Sequence, residues 1–379
     1  MPNSPLFSSA SSTSSELTGF DHPGRVSRLQ EIMAADGVDA VVLSIGADLP
    51  YLTGYEAMDS ERPTVLVVRA SGVPVLVIPL LEAPRVDGSD IEVAPWAEND
   101  DPFALVTGAL GGARRIAVGD QTRAANLLAI QAILPDVIWE RASDLTARLR
   151  VRKGPEEVEL LRAAAHAVDR VLGRVPDEVS FAGRSEMDVA RDLQAMTVEE
   201  GHDIASFAIV GAGPNGASPH HEPGDRVIET GDLVVCDFGG KLRGYSSDVT
   251  RTFAVGPHSG EQEEVHAAVH AASEAARGAV RPGTTCEDID REARRVIEDA
   301  GFGEFFIHRT GHGIGLEVHE HPYMVQGNET QLEQGMTFSI EPGIYLPGRF
   351  GVRIEDIVAC GPDGVDELNR ADRSLRVVD

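Results

Sequence analysis

The chain has 379 residues, of which 42% are hydrophobic and 25% charged. That is enough apolar material for two cored domains, and it argues against disorder along the whole length. Its 61 acidic residues outnumber 33 basic ones and leave a formal net charge of −28, a surface that repels nucleic acid and anionic membranes and excludes both as partners.

Residues 1–19 are Ser-rich and lack the basic start and apolar centre of a secretory leader, so a loose tail is expected there. A smaller α/β domain is expected over 20–152. Its first helix carries Val26, Leu29, Ile32 and Met33 and stops at Gly37, a residue suited to a left-handed helix end. Short β-rich runs follow at Ala40–Leu43, Thr64–Val68, Val75–Ile78 and Ile116–Val118, each bounded by Gly, Pro or Asp. This half gathers no set of metal-ligating residues. Across the chain Cys236, Cys286 and Cys360 show no C-x-x-C spacing, which points to a reducing cytoplasm.

A second domain is expected over 153–379. Pro155, Glu156 and Glu157 form a helix start, and Val158, Leu161, Ala165, Val168 and Leu172 continue it as one buried stripe. Further helices are expected at 185–200, 262–277 and 286–300, the last with Thr285 and Asp288 as a capping pair. Between them lie strand-like runs at Ile204–Val210, Leu233–Phe238, Val249–Val255, Met336–Ile340 and Val352–Ala359. Strands and helices in separate blocks predict an α+β domain, a mostly antiparallel sheet backed by helices.

Five residues in this domain carry chemistry: Asp237, Asp248, His312, Glu341 and Glu355. The carboxylates sit in or at the ends of apolar strands, where an unpaired charge is costly to bury and a bound cation is an economical remedy. The Gly-rich link between Asp237 and Asp248 is short enough for a hairpin that converges both on one face. Arg353 and Glu355, two apart, share a strand face. Mostly hard oxygen donors favour Mn²⁺, Co²⁺ or Fe²⁺ over a lone structural zinc, and bridging carboxylates suit two ions. Any one of these residues alone is more often a cap or a salt-bridge partner.

The words DFGG, SSDVTRTF, GHGIGLEVHEHP, SIEPGIY and VRIEDIV occur in this order. They resemble the pita-bread metallopeptidases, specifically the Xaa-Pro dipeptidases (prolidases) and Xaa-Pro aminopeptidases. The resemblance covers residues 150–379 strongly and reaches the first half through the segment from Asp48 to Tyr55. It implies a C-terminal pita-bread domain behind a creatinase-type N-terminal domain, and a homodimer. It also implies two divalent ions, Mn²⁺ first and Co²⁺, Fe²⁺ or Zn²⁺ as alternatives. By motif, Asp237 binds one ion, Asp248 and Glu355 bridge, and His312 with Glu341 complete the second site. Glu341 would also accept the proton of the attacking water. His220, His319 and His308 match histidines that line the substrate pocket, with His221 and His321 as neighbours of no catalytic role.

For Arg353 the residues leave two readings, a contact to the substrate carboxylate or to a metal ligand, or a structural ion pair with Asp237 or Glu341. Tyr245 and Thr250 flank Asp248 as possible supports or as ordinary packing. The expected reaction is hydrolysis of the Xaa-Pro bond in short peptides, with dipeptidase and aminopeptidase both open. The alternatives are a non-peptide amide or amidine hydrolase of the creatinase or ectoine-hydrolase kind, and a binding module on the same scaffold. Retention of all five ligands argues against a creatinase-type mechanism and against the binding module.

Overall fold

A computed structural model of the chain describes residues 19–86 and 90–379; most of the expected Ser-rich tail lies outside them. The described residues up to Ala142 form one compact unit and Ser143–Asp379 a second. The helix Ser143–Arg150 thus groups with the second unit, ahead of the junction expected at 152/153.

In the first unit the opening helix spans His22–Asp36, capped by the Asp21 side chain and closed by Gly37 at φ 71°, as its sequence predicts. The sheet has six strands in the order Glu92–Trp96, Val75–Pro79, Val65–Arg69, Ala40–Leu43, Arg115–Val118, Ile138–Arg141. Its two edge strands escape the sequence reading. One of them carries Pro95, a residue that edge strands tolerate because no inner ladder bond is lost.

The second unit is α+β, as expected. One sheet runs Arg376–Val378, Val249–Val255, Leu233–Leu242, Ile204–Ala212, and a second runs Glu320–Met324, Gly311–Gly313, Thr337–Ile340, Asp356–Cys360, Val365–Glu367. Each is backed by a helix pair with its own core. Helices Pro155–Glu178 and Glu186–Glu199 pack Val168, Val171 and Leu193 against Val234, Phe238 and Phe253 of the first sheet. Helices Gly260–Ala279 and Cys286–Asp299 pack Val269, Ile289 and Ala293 against Phe338, Ile340 and Val358 of the second. The Thr285–Asp288 capping box forms as predicted.

The run Val352–Ala359 is not one strand. It breaks into Phe350–Arg353, paired in a ribbon with Gly343–Leu346, and Asp356–Cys360 in the second sheet. At the break a single antiparallel bridge joins Glu355 to Thr250 of the first sheet. Among the described residues no helix is long and apolar enough to cross a membrane.

Candidate metal centre

The expected hairpin exists. Strand Leu233–Leu242 pairs antiparallel with Val249–Val255, setting Asp237 opposite Thr250 with Asp248 just ahead of the second strand. Glu355 enters through the bridge to Thr250. His312 sits at the centre of Gly311–Gly313, where neighbouring backbone approaches too closely for any side chain: a Cβ at Gly311 would run into the Ser339 carbonyl, and one at Gly313 into the His321 carbonyl. Glu341 follows the adjacent strand Thr337–Ile340.

These five side chains converge. Donor atoms of Asp237, Asp248 and Glu355 lie within 4.8 Å of one another, and the same holds for His312, Glu341 and Glu355 and for Asp248, His312 and His319. His312 Nε2 stands 3.3 Å from Glu341, 3.7 Å from Asp248 and 4.0 Å from Glu355. His312 Nδ1 faces the Gly313 carbonyl at 3.1 Å, which puts the ring proton there and leaves Nε2 with its lone pair toward the carboxylates.

The electrostatics are those of a site built for cations. Asp237 Oδ1, Asp248 Oδ1 and Glu355 Oε1 are buried with no hydrogen-bond partner among the described residues, an arrangement that burial penalises unless a cation supplies the missing partner. Burial, reinforced by neighbouring carboxylates, drives the Asp248 and Glu355 carboxyls well above their usual range. Burial also pushes Glu341 up to about 7, against the pull of Arg353. The donor set therefore fits divalent metal ions.

Arg353 resolves as an ion pair. Its guanidinium meets Asp237 Oδ2 at 2.5 Å, donates to Thr250 Oγ1 at 3.1 Å, and reaches the Pro219 carbonyl at 3.3 Å. Thr250 Oγ1 in turn donates to Glu355 Oε2 at 2.7 Å, so it supports Glu355 rather than Asp248. Tyr245 turns elsewhere and donates to Glu157 at 2.6 Å. His308 Nδ1 lies 2.7 Å from the Arg309 carbonyl and Nε2 lies 2.8 Å from the Tyr345 hydroxyl. Both ring nitrogens thus have protein partners. The Tyr345 oxygen also accepts from Arg353 at 3.0 Å.

His220 and His319 are exposed at the rim of a cavity of about 620 Å³ that contains all five converging residues. His319 packs edge-on against His312 with ring centres 4.0 Å apart. His221 binds the fully buried Glu186 carboxylate at 2.7 Å, a structural contact. Phe207, Ile209 and Val318 supply an apolar wall to the cavity, and Arg309 a cation.

The sequence reading missed Tyr345, Arg309 and a buried cluster beside the site. In that cluster Glu320, next to His319, takes Lys153 Nζ at 2.6 Å and also pairs with Arg150. The basic partners stand 170 and 167 residues away in the chain, beyond the reach of local pattern.

Comparison with known proteins identifies the families to which both parts of the chain are similar. Residues 159–362 match Metallopeptidase family M24 and residues 25–152 match the Creatinase/Prolidase N-terminal domain. A probable dipeptidase PepE of Mycobacterium bovis is 45% identical over 349 residues, covering 90% of this chain and 92% of that protein. An Xaa-Pro dipeptidase of Lactobacillus helveticus is 34% identical over 361 residues, covering 93% and 98%. The crystal structure of a prolidase from Thermococcus sibiricus superposes with a TM-score of 0.91 at 36% identity, covering 95% of this chain and 100% of that one.

Proposed function

Because this chain belongs to metallopeptidase family M24, we propose that it hydrolyses the Xaa-Pro bond of dipeptides with two divalent ions held by Asp237, Asp248, His312, Glu341 and Glu355. Asp248 and Glu355 would be shared between the ions. The observation that carries the metal assignment is the trio of buried carboxylate oxygens that lack a hydrogen-bond partner among the described residues. Four carboxylates and one imidazole favour Mn²⁺ ahead of Co²⁺, Fe²⁺ or Zn²⁺. The dipeptide preference rests on the names of the two relatives above.

Divalent ions in such a cage polarise the scissile carbonyl and acidify the attacking water. The chain's own residues supply the rest. Glu341, oriented by the Ser339 hydroxyl at 3.1 Å, takes the proton from that water. It returns the proton to the proline nitrogen as the bond breaks. His220 and His319 donate to the carbonyl oxygen as negative charge grows on it. Arg353 and Tyr345 act behind the site, holding Asp237 and the segment at Pro219. The wall of Phe207, Ile209 and Val318 receives the proline ring. A cytoplasmic homodimer belongs to the same proposal.

The test is release of free proline from Xaa-Pro dipeptides by metal-replete protein, with elemental analysis of the same sample. Hydrolysis undiminished after exhaustive demetallation would sink the reading. Turnover of creatine or ectoine-like compounds in place of peptides would move it to a non-peptide hydrolase.

A further inference from the structure

Two guanidinium groups line the cavity, and they are in opposite states. Arg353 is committed to Asp237, Thr250 and Tyr345. Arg309 makes no ion pair and no side-chain hydrogen bond among the described residues; its guanidinium lies over the Tyr323 ring, 4.4 Å from the centroid. Such stacking fixes the plane of the fork and leaves its edge N–H groups free to donate. In a chain with 61 acidic and 33 basic residues, an arginine that lines a cavity with four carboxylates and pairs with none of them stands out.

We propose that Arg309 is a substrate-recognition residue that receives a carboxylate of the substrate through a paired N–H···O contact. The proposal deepens the Xaa-Pro reading and rests on it. An Xaa-Pro dipeptide offers two sources of that chemistry: the free carboxylate of the proline, and an acidic side chain on the residue before it. Arg353 is already occupied by Asp237, so Arg309 is the cation of this cavity with donors to spare. A bidentate guanidinium–carboxylate contact also supplies orientation, which a point charge does not.

The experiment compares substrates in pairs on the metal-loaded full-length protein. One pair is Ala-Pro and its C-terminal amide; the other is Asp-Pro and Asn-Pro. Wild-type turnover of Ala-Pro establishes the peptidase reading first, and its absence would count against that reading alone. In Arg309→Gln the expected result is a collapse of one ratio of kcat/KM by roughly 10- to 100-fold. Collapse of the acid-to-amide ratio assigns the proline carboxylate, and collapse of the Asp-to-Asn ratio assigns the side chain. Arg309→Met, which keeps an apolar stem over Tyr323, serves if the Gln variant folds poorly. Both ratios unchanged in a folded variant that still turns over Ala-Pro overturns the proposal.

Discussion

Two buried acidic sites lie within the same half of the chain and resolve the same problem in opposite ways. At Glu320 the carboxylate is satisfied from within. Burial pushes its carboxyl up, but Lys153 and Arg150 more than reverse this and hold it below the usual range. At Asp237, Asp248 and Glu355 one oxygen each is left without a partner, and Asp248 and Glu355 are driven well above the usual range. The first is a finished ion cluster. The second is an incomplete one, and the missing component carries positive charge. Burial of acid is therefore a weak sign of function until its partners have been counted.

The contrast can be broken most forcefully at Asp248. Asp248→Asn should lower kcat by on the order of 10³-fold or more and abolish binding of the second ion. The demetallated protein should not lose stability, because a repelling buried charge has gone. Elemental analysis beside chemical denaturation checks both, and unchanged turnover refutes the assignment. Lys153→Met should do the reverse. It removes one partner of a buried pair and should cost about 3–5 kcal/mol in urea unfolding, with metal stoichiometry intact in the protein that remains folded. A smaller effect is expected from Thr250→Val, which deletes the donor to Glu355 at 2.7 Å. Loss of such a supporting bond should weaken metal affinity or activity by roughly 10- to 100-fold, read by competition with a chelating dye.

The smallest effect is on pH. Glu320, whose folded value is depressed, stabilises above the unfolded carboxyl range and loses that contribution as pH falls. Glu341, raised to about 7, runs the other way in chelated protein. The native state there holds the extra proton, so stability is greatest below the unfolded value near 4.5 and declines as pH rises toward 7. Saturating metal should erase that decline, since binding requires the deprotonated cage. Denaturation midpoints at pH 5 and 8, with and without chelator, check the sign.

Much of the cage was legible because its carboxylates sit in or at the ends of apolar runs that do not explain their charge, as Asp237 does after Leu233–Cys236. The helices were legible through their ends, as at Gly37 and the Thr285–Asp288 box. What escaped depends on distance in the chain or on weak local pattern. Glu320 looks like another ligand until Lys153 is seen beside it. The three-residue strand around His312 has too few side chains to show alternation. The split at Glu355 was hidden because Val352–Glu355 alternates and Ile357–Ala359 is apolar, so the adjacent acids Glu355 and Asp356 were read through as one strand, although the two pieces pair with different neighbours. Arg309 was overlooked inside a word dominated by His312, and it is singled out by making no ion pair among the described residues while it stacks on Tyr323.

The lone bridge between Thr250 and Glu355 has a mechanical consequence. Asp237 and Asp248 belong to one helix-backed sheet, His312 and Glu341 to the other, and Glu355 stands at the seam. A cation held by all of them would add a second tie across a seam that the buried Arg251–Asp356 ion pair already bridges. Slackening either half should therefore loosen the grip on the ion.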